Sequence, residues 1–249
     1  MLMSVIQATC GLGYGVAALL LGRGRSGRGA IGLLVAVTAV HAALVLGRAA
    51  ETGQLPVVSR YEDLTMDALV TALLYLLMQW RWPVLRRAGA LAPAFAGFLT
   101  VAALSYDSGH FPLGPALQSD WLLIHAQLNS LAIAAASLTA SLGILGGAEV
   151  DGYGRRLLAW SLWLWAAMVA AGAYWASLAW GRFWGWDPIE SWSLGTLLVY
   201  AAVLHLRPPA GRDDRWLLRW ALVPYGLLLF TTYGLLLVRH SIHGSYLFQ

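Results

Sequence analysis

Residues 121–146 read WLLIHAQLNSLAIAAASLTASLGILG, a run without a single Asp, Glu, Lys or Arg. A helix of about 20 apolar residues crosses a bilayer, so this stretch predicts a membrane-spanning helix. The rest of the chain has the same character, because 59% of its 249 residues are hydrophobic and 11% are charged. Soluble domains carry about 25% charged residues. With a mean hydropathy of +0.65, the composition predicts an all-α integral membrane protein in a lipid bilayer.

Working outward from this stretch, the apolar runs predict about eight transmembrane helices. The first run begins at the N-terminus and is interpreted as a span and not as a cleaved signal peptide. No long linker or composition shift divides residues 1–249, so we expect one polytopic domain. In chain order, the predicted spans are 4–22, 30–47, 65–80, 89–105, 121–146, 157–179, 191–206 and 216–238.

The basic residues, all of them Arg, predict the orientation of these spans. Cytoplasmic loops carry an excess of positive charge, and twelve of the sixteen Arg fall in alternate loops on one side. Both termini and the loops at 48–64, 106–120 and 180–190 are therefore predicted to lie outside, on the periplasmic side of a bacterial inner membrane. The same clustering accounts for the basic pI of about 9.5 without nucleic-acid binding. The twelve inner residues are Arg23, Arg25, Arg28, Arg81, Arg86, Arg87, Arg155, Arg156, Arg207, Arg212, Arg215 and Arg219; the outer four are Arg48, Arg60, Arg182 and Arg239.

The outer loop at about 175–192 is rich in tryptophan. Tryptophan favours the membrane–water interface, so an aromatic belt is one interpretation. The other is a ligand platform, because glycines at 181 and 185 let the backbone approach a flat molecule and aromatic faces bind planar apolar rings. A haem macrocycle has this shape, and its carboxylates could pair with Arg182. Asp187 and Pro188 are suited to begin the helix of the seventh span, as N-cap and first helical residue. The five tryptophans are Trp175, Trp180, Trp184, Trp186 and Trp192.

The histidines offer candidate ligands for haem iron. His125 and His243 are predicted to lie on the outer side at the depth of the Trp-rich loop, and neutral imidazoles ligate haem iron. His110 and His240 are predicted on the same side and remain competitors. An ionisable residue inside a span is a functional candidate or a hydrogen-bonded structural group, and this applies to His41 and His205. Cys10 is the single cysteine, which excludes an internal disulfide. It lies inside the first span.

At these residues the chain resembles a known family. The stretch from Trp180 to Trp192, continued by LLVYAAVLHLR at 197–207, is similar to the WWD-domain signature of the CcsA/ResC cytochrome c assembly proteins, whose wider group includes the CcmC and CcmF types. PALQSDWLLIH at 115–125 resembles the segment that leads into the family's first external histidine. HGSY at 243–246 resembles its second, and Arg48 to Glu62 is similar to the loop before its third span.

The resemblance implies a haem-handling subunit of a system II cytochrome c assembly complex. Haem b would be bound at the outer face as cargo and presented to the Cys-x-x-Cys-His motif of apocytochrome c. His125 and His243 would be the axial ligands, and His205 a candidate ligand during haem transit. The platform would consist of Trp180, Trp184, Trp186 and Asp187. The chain contains no CcsB-like segment, so a separate CcsB/ResB-like membrane partner is implied.

The chain also departs from the family pattern. Ile189 stands where Lys is usual, and Gln54 replaces a common His. The tail spacing leaves His240 and His243 both open as the second external histidine. No residue has the character of a general base or nucleophile for the attachment, so an enzymatic role could rest on positioning alone. Two alternatives remain, namely a HemX/CcmC-type haem protein in export or regulation, and a non-haem transporter or structural membrane subunit.

Overall fold

A computed structural model of the chain describes residues 2–24, 28–53, 55–57, 59–109, 117–147, 152–207 and 214–235. Every regular element in these ranges is helical, which agrees with the all-α prediction. A π-helical turn at Phe230–Gly234 continues the last helix. The helices are α1 (Leu2–Gly22), α2 (Arg28–Thr52), α3 (Arg60–Arg81), α4 (Leu85–Ala88), α5 (Leu91–Ala103), α6 (Asp120–Leu145), α7 (Gly154–Trp180), α8 (Pro188–His205), α9 (Asp214–Trp220) and α10 (Leu222–Leu229).

Helix α6 lies at the centre of the bundle. Its C-terminal half is built largely from alanine, serine and other small residues, and nearly all of residues 130–143 are buried. Small side chains let neighbouring helix backbones approach closely, which is the usual packing mode between helices in a membrane. Gly143 is an example, because a Cβ there would lie 2.7 Å from the Leu218 carbonyl oxygen. The stretch that predicted the fold class is therefore the helix against which α3, α5, α7, α9 and α10 pack.

Two apolar cores lie on either side of α6. One joins α1, α2, α3 and α5 through residues such as Tyr14, Leu34 and Tyr75. The other joins α6 to α7, α8 and the last helices through residues such as Trp165 and Tyr200. The indole nitrogen of Trp165 donates to the Ser193 carbonyl oxygen at 3.0 Å, which fixes α7 against α8.

Prolines account for the end of one helix and the interruption of another. Helix α3 ends at Arg81 because Pro83 disfavours a helical conformation at Trp82, which is extended with φ −128° and ψ 92°. The eighth predicted span is divided into α9, α10 and the π-helical turn. Pro224 lacks the N–H that would bond to the carbonyl of Trp220, and α9 ends at that residue.

Four described helices are long and apolar enough to cross a membrane by themselves, namely α1 from Met3, α2, α6 and α7. Helix α5 is apolar but shorter. The predicted span at 65–80 lies within α3, and that at 191–206 overlaps α8. The described part of the span at 216–238 is the divided last helix. Helix α3 carries Glu62, Asp63 and Asp67 in its first turns, which lowers its hydropathy. Eight spans and outward-facing termini therefore remain predictions, whereas the multi-spanning character is supported.

A buried carboxylate ties three elements together near the N-terminal end of α3. Asp67 accepts hydrogen bonds from the Ser130 hydroxyl on α6 at 2.6 Å and from the Tyr233 hydroxyl on the π-helical turn at 2.7 Å. Asp67 is 2% exposed, so both bonds are shielded from water and hold the end of the last helix against α3 and α6.

Candidate functional site

The Trp-rich loop is held in shape by the carboxylate of Glu190. Its Oε2 accepts from the backbone N–H of Gly185 at 2.7 Å and from that of Asp187 at 3.1 Å. Asp187 in turn accepts from the Ile189 N–H at 2.9 Å as the N-cap of α8, with Pro188 in the first turn. The N-cap prediction is confirmed, and the Asp187 carboxylate is engaged with the backbone of its own helix.

The tryptophans of the loop occupy different environments. Trp180 packs edge-on against Trp175 with ring centroids 4.9 Å apart, and Trp184 packs edge-on against Trp186 at 5.9 Å. Trp186 is 70% exposed and has φ 58°, the one positive φ of a non-glycine residue among those described. Such backbone strain costs about 1–3 kcal/mol and is concentrated at functional sites.

Two adjoining cavities open beneath this loop, between α3, α6, α7 and the π-helical turn. Their empty volumes are about 820 and 840 Å³, which include space open to solvent. The lining is mostly apolar, with a few polar groups. The residues common to both cavities are Arg60, Asp63, His125, Asn129 and Thr232; the first adds Trp184, Ile189 and Glu190 among others, and the second adds Val57, Met66, Leu117 and Trp175 among others.

His125 stands where the two cavities meet. Its Nδ1 lies 2.9 Å from the Met168 carbonyl oxygen, and its ring is nearly parallel to that of Trp175, at 19° and 6.4 Å between centroids. A carbonyl oxygen only accepts, so Nδ1 carries the proton in this pair and Nε2 carries the lone pair. This is the tautomer that ligates a metal, with the other nitrogen fixed by a backbone carbonyl.

Only part of the predicted platform borders the cavities. Trp184 lines the first cavity, and so does Ile189, whose apolar side chain stands where the family usually has Lys. The described cavity walls do not include Trp180, Trp186 or Asp187.

Arg182 is exposed, and its guanidinium folds back over its own loop. A Cβ at Gly185 would lie 2.6 Å from the Arg182 Cζ, so the glycine is required for this close approach. In this arrangement Arg182 is not part of either described cavity wall.

The remaining histidines lie elsewhere or outside the described residues. His205 is exposed at the end of α8, with Nδ1 2.7 Å from the Ala201 carbonyl oxygen. At 1.5 Å per residue it lies about 27 Å along the helix from Asp187. His41 is fully buried in the first core, where Nδ1 lies 3.1 Å from the Tyr14 hydroxyl. His110, His240 and the predicted second ligand His243 lie outside the described residues, as does Gln54.

Three residues of the first cavity wall carry a buried donor group without a partner in the described part of the chain. Among the described residues, no hydrogen-bond partner lies near Arg60 Nε, Trp184 Nε1 or Thr232 Oγ1, although each borders the first cavity. A buried donor without an acceptor costs about 1–3 kcal/mol, so a ligand with acceptor atoms would suit this wall.

Sequence reasoning missed Arg60, Asp63, Asn129 and Thr232 as cavity residues. One signal was available for Asn129, because it follows His125 by one helical turn and therefore shares its face. Arg60 entered the sequence analysis only through the distribution of Arg among the loops, and Asp63 did not enter it, although ionisable groups near the end of a span deserve separate consideration.

The chain matches the family described as "Cytochrome C assembly protein" over residues 32–243. Among similar proteins is the cytochrome c biogenesis protein CcsA of Synechococcus sp. (strain CC9311), at 31% identity over 75% of this chain and 78% of the relative. The CcsA of Chlamydomonas reinhardtii is 31% identical over 81% of this chain and 64% of its own length.

A solved structure, cytochrome c haem lyase CcmF, has a similar fold, with a TM-score of 0.67 at 20% sequence identity. The match covers 99% of this chain but 48% of the CcmF chain, and at this identity it supports the fold alone. The resemblance to the CcsA type, first apparent in the Trp-rich loop, is confirmed by the match to the family and by the CcsA relatives. The chain belongs to the cytochrome c assembly protein family.

Proposed function

We propose that this chain is the haem-handling subunit of a cytochrome c assembly complex, which binds haem b as cargo and presents it to apocytochrome c. The observation that carries the proposal is His125, fixed in the tautomer that ligates iron and placed at the junction of two largely apolar cavities. A histidine on a solvated loop, without a cavity beside it, would give no reason to assign it as an iron ligand.

The cavity chemistry is suited to a tetrapyrrole. A planar ring that buries a few hundred Å² of apolar surface gains several kcal/mol at about 25 cal/mol per Å². Trp184 borders the space with its indole side chain, and Ile189 contributes apolar surface. Imidazole, aromatic faces and a few donors together suit the iron, the ring and the carboxylates of haem.

In the proposed arrangement, His125 is one axial ligand and His243, on the tail after the π-helical turn, is the other. Trp180, Trp186 and Asp187 support the loop from which Trp184 reaches the ring. Arg182 stands at the exposed edge of the loop for an outer carboxylate, and His205 is a ligand during transit towards the outer site. When bound, the iron and the vinyl groups of the haem supply the chemistry of attachment.

The protein would promote attachment by position. Bringing the vinyl groups to the client thiols lowers the barrier by proximity, and the client thiols themselves are the nucleophiles that add to the vinyl groups. The site would face the periplasm from a bacterial inner membrane, as the Arg distribution predicts. A CcsB/ResB-like membrane protein would complete the complex.

The test is the visible spectrum of the detergent-purified protein, recorded with its partner co-expressed, before and after dithionite. We expect a Soret band with sharp reduced α and β bands in the wild type, and their loss or weakening in His125→Ala and His243→Ala. Added imidazole should restore the bands in His125→Gly, because it replaces the missing ligand. A colourless wild type, or a haem spectrum unchanged in both alanine variants, would contradict the proposal.

A further inference from the structure

Arg60 places a buried guanidinium at the wall of both cavities. It is the first residue of α3 and is 9% exposed. Removing a charge from water is costly unless the charge is paired and hydrogen-bonded. The described part of the chain gives the Arg60 guanidinium little of this pairing and hydrogen bonding.

The contacts of Arg60 are few. Its Nη1 lies 3.5 Å from Asp63 Oδ2, which is long against the roughly 2.7–2.9 Å of a charge-assisted hydrogen bond. Its Nε has no acceptor among the described residues.

Arg48, at the end of α2, provides a comparison within the same outer region. Its Nε donates to Glu62 Oε1 at 2.7 Å, and its two terminal nitrogens donate to the Ser108 and Gly109 carbonyls at 2.8 Å each. All three nitrogens of Arg48 are thus engaged by the protein at short distances. Arg48 therefore has a structural role, whereas Arg60, which lines both cavities, keeps an unpartnered donor at Nε among the described residues.

We propose that Arg60 is the carboxylate-binding residue of the cavity and positions haem by pairing with one of its propionates. This inference rests on the proposed function, in which haem is the ligand. A guanidinium binds a carboxylate through two parallel hydrogen bonds, and the second, unpartnered donor at Trp184 Nε1 borders the same cavity.

Asp63 is the internal competitor for Arg60. It lines both cavities and holds Arg60 by the one long contact. Two other carboxylates at these walls are already engaged, since Glu190 accepts from the Trp-rich loop and Asp67 from Ser130 and Tyr233. A propionate would displace the Asp63 carboxylate from Arg60. It would then be repelled by the negative charge of Asp63 nearby. Neutralising Asp63 should therefore strengthen binding, whereas neutralising Arg60 should weaken it.

The experiment compares haem with haem dimethyl ester, in which both propionates are blocked, by Soret titration of the full chain in detergent. The wild type should prefer haem, and Arg60→Gln should bind haem about 10- to 100-fold more weakly, as expected for a lost charged hydrogen bond, with little change for the ester. Asp63→Asn should tighten haem binding several-fold. Arg156→Gln, which removes an exposed charge at the start of α7, is the control and should behave as the wild type. The ratio of the two affinities is compared between proteins, because the different partitioning of the two ligands into detergent is the same for every variant and cancels in that comparison.

Arg60→Lys keeps the positive charge but lacks the two parallel donors of a guanidinium, so it should retain part of the preference for haem over the ester. The result therefore does not depend on how well Arg60→Gln folds. If Arg60→Gln and Arg60→Lys keep the wild-type ratio of haem to ester affinity, the assignment of Arg60 is wrong while haem binding itself stands. A wild type that binds neither ligand would overturn the proposed function and this inference together.

Discussion

Gly172 on α7 lies directly against the imidazole of His125 on α6. A Cβ at position 172 would lie 2.6 Å from His125 Nδ1 and 2.7 Å from Cε1, closer than nonbonded atoms approach. The absence of a side chain at this position lets the ring lie flat against α7 and reach the Met168 carbonyl oxygen. The orientation of the proposed iron ligand therefore depends on a glycine of the neighbouring helix.

We expect Gly172→Ala to displace the His125 ring and to weaken haem retention. Overpacking costs about 1–3 kcal/mol, and the relief available is rotation of the imidazole away from Met168. The reduced α and β bands should weaken or shift in the purified protein. Gly195→Ala on α8 is the matched control, because a Cβ there meets no atom within 4 Å. Equal spectra for the two variants would show that the His125 ring does not depend on Gly172.

The Asp187 carboxylate should support haem binding by capping α8 and not by contacting the haem. We expect Asp187→Asn to keep the haem spectrum and thermal stability, because Asn is as good an N-cap as Asp. Asp187→Ala should lose about 1 kcal/mol of stability and release haem more readily, since the loop that carries Trp184 loosens. Thermal unfolding and haem retention during gel filtration measure both effects. If Asp187→Asn loses as much haem as Asp187→Ala, the charge itself contacts the ligand.

The local sequence was sufficient to predict the N-terminal end of α8, because an N-cap residue and a first-turn proline act within four residues. It was also sufficient for α6, whose uncharged run specifies a span. It could not place Arg60 at the cavity wall, because that position depends on how α3 packs against α6 and the end of the last helix. Nor could it separate Trp184, which borders the cavity, from Trp186, which is exposed, since both belong to one loop of similar composition.

Trp184 should contribute more to haem binding than Trp186. Trp184→Phe removes the indole N–H at the cavity wall, and a hydrogen bond of this kind is worth about 0.5–1.5 kcal/mol, so affinity should fall several-fold. Trp186→Phe should have a smaller effect on affinity because Trp186 is 70% exposed. Trp163→Phe, on an exposed face of α7 away from both cavities, is the control. A larger loss of affinity in Trp186→Phe than in Trp184→Phe would contradict this order.

The orientation predicted from the Arg distribution can be tested by cysteine labelling in intact cells. Cys10, the single cysteine, is buried, so Cys10→Ser provides a background without reactive thiols. We expect Phe183→Cys, in the Trp-rich loop where Phe183 is 62% exposed, to react with a membrane-impermeant maleimide. Arg156→Cys, at the exposed start of α7, should react only after permeabilisation. These two positions flank the same long apolar helix, so they must lie on opposite sides if that helix crosses the bilayer. Labelling of Arg156→Cys from outside, with Phe183→Cys protected, would invert the topology and place the proposed haem site on the cytoplasmic face.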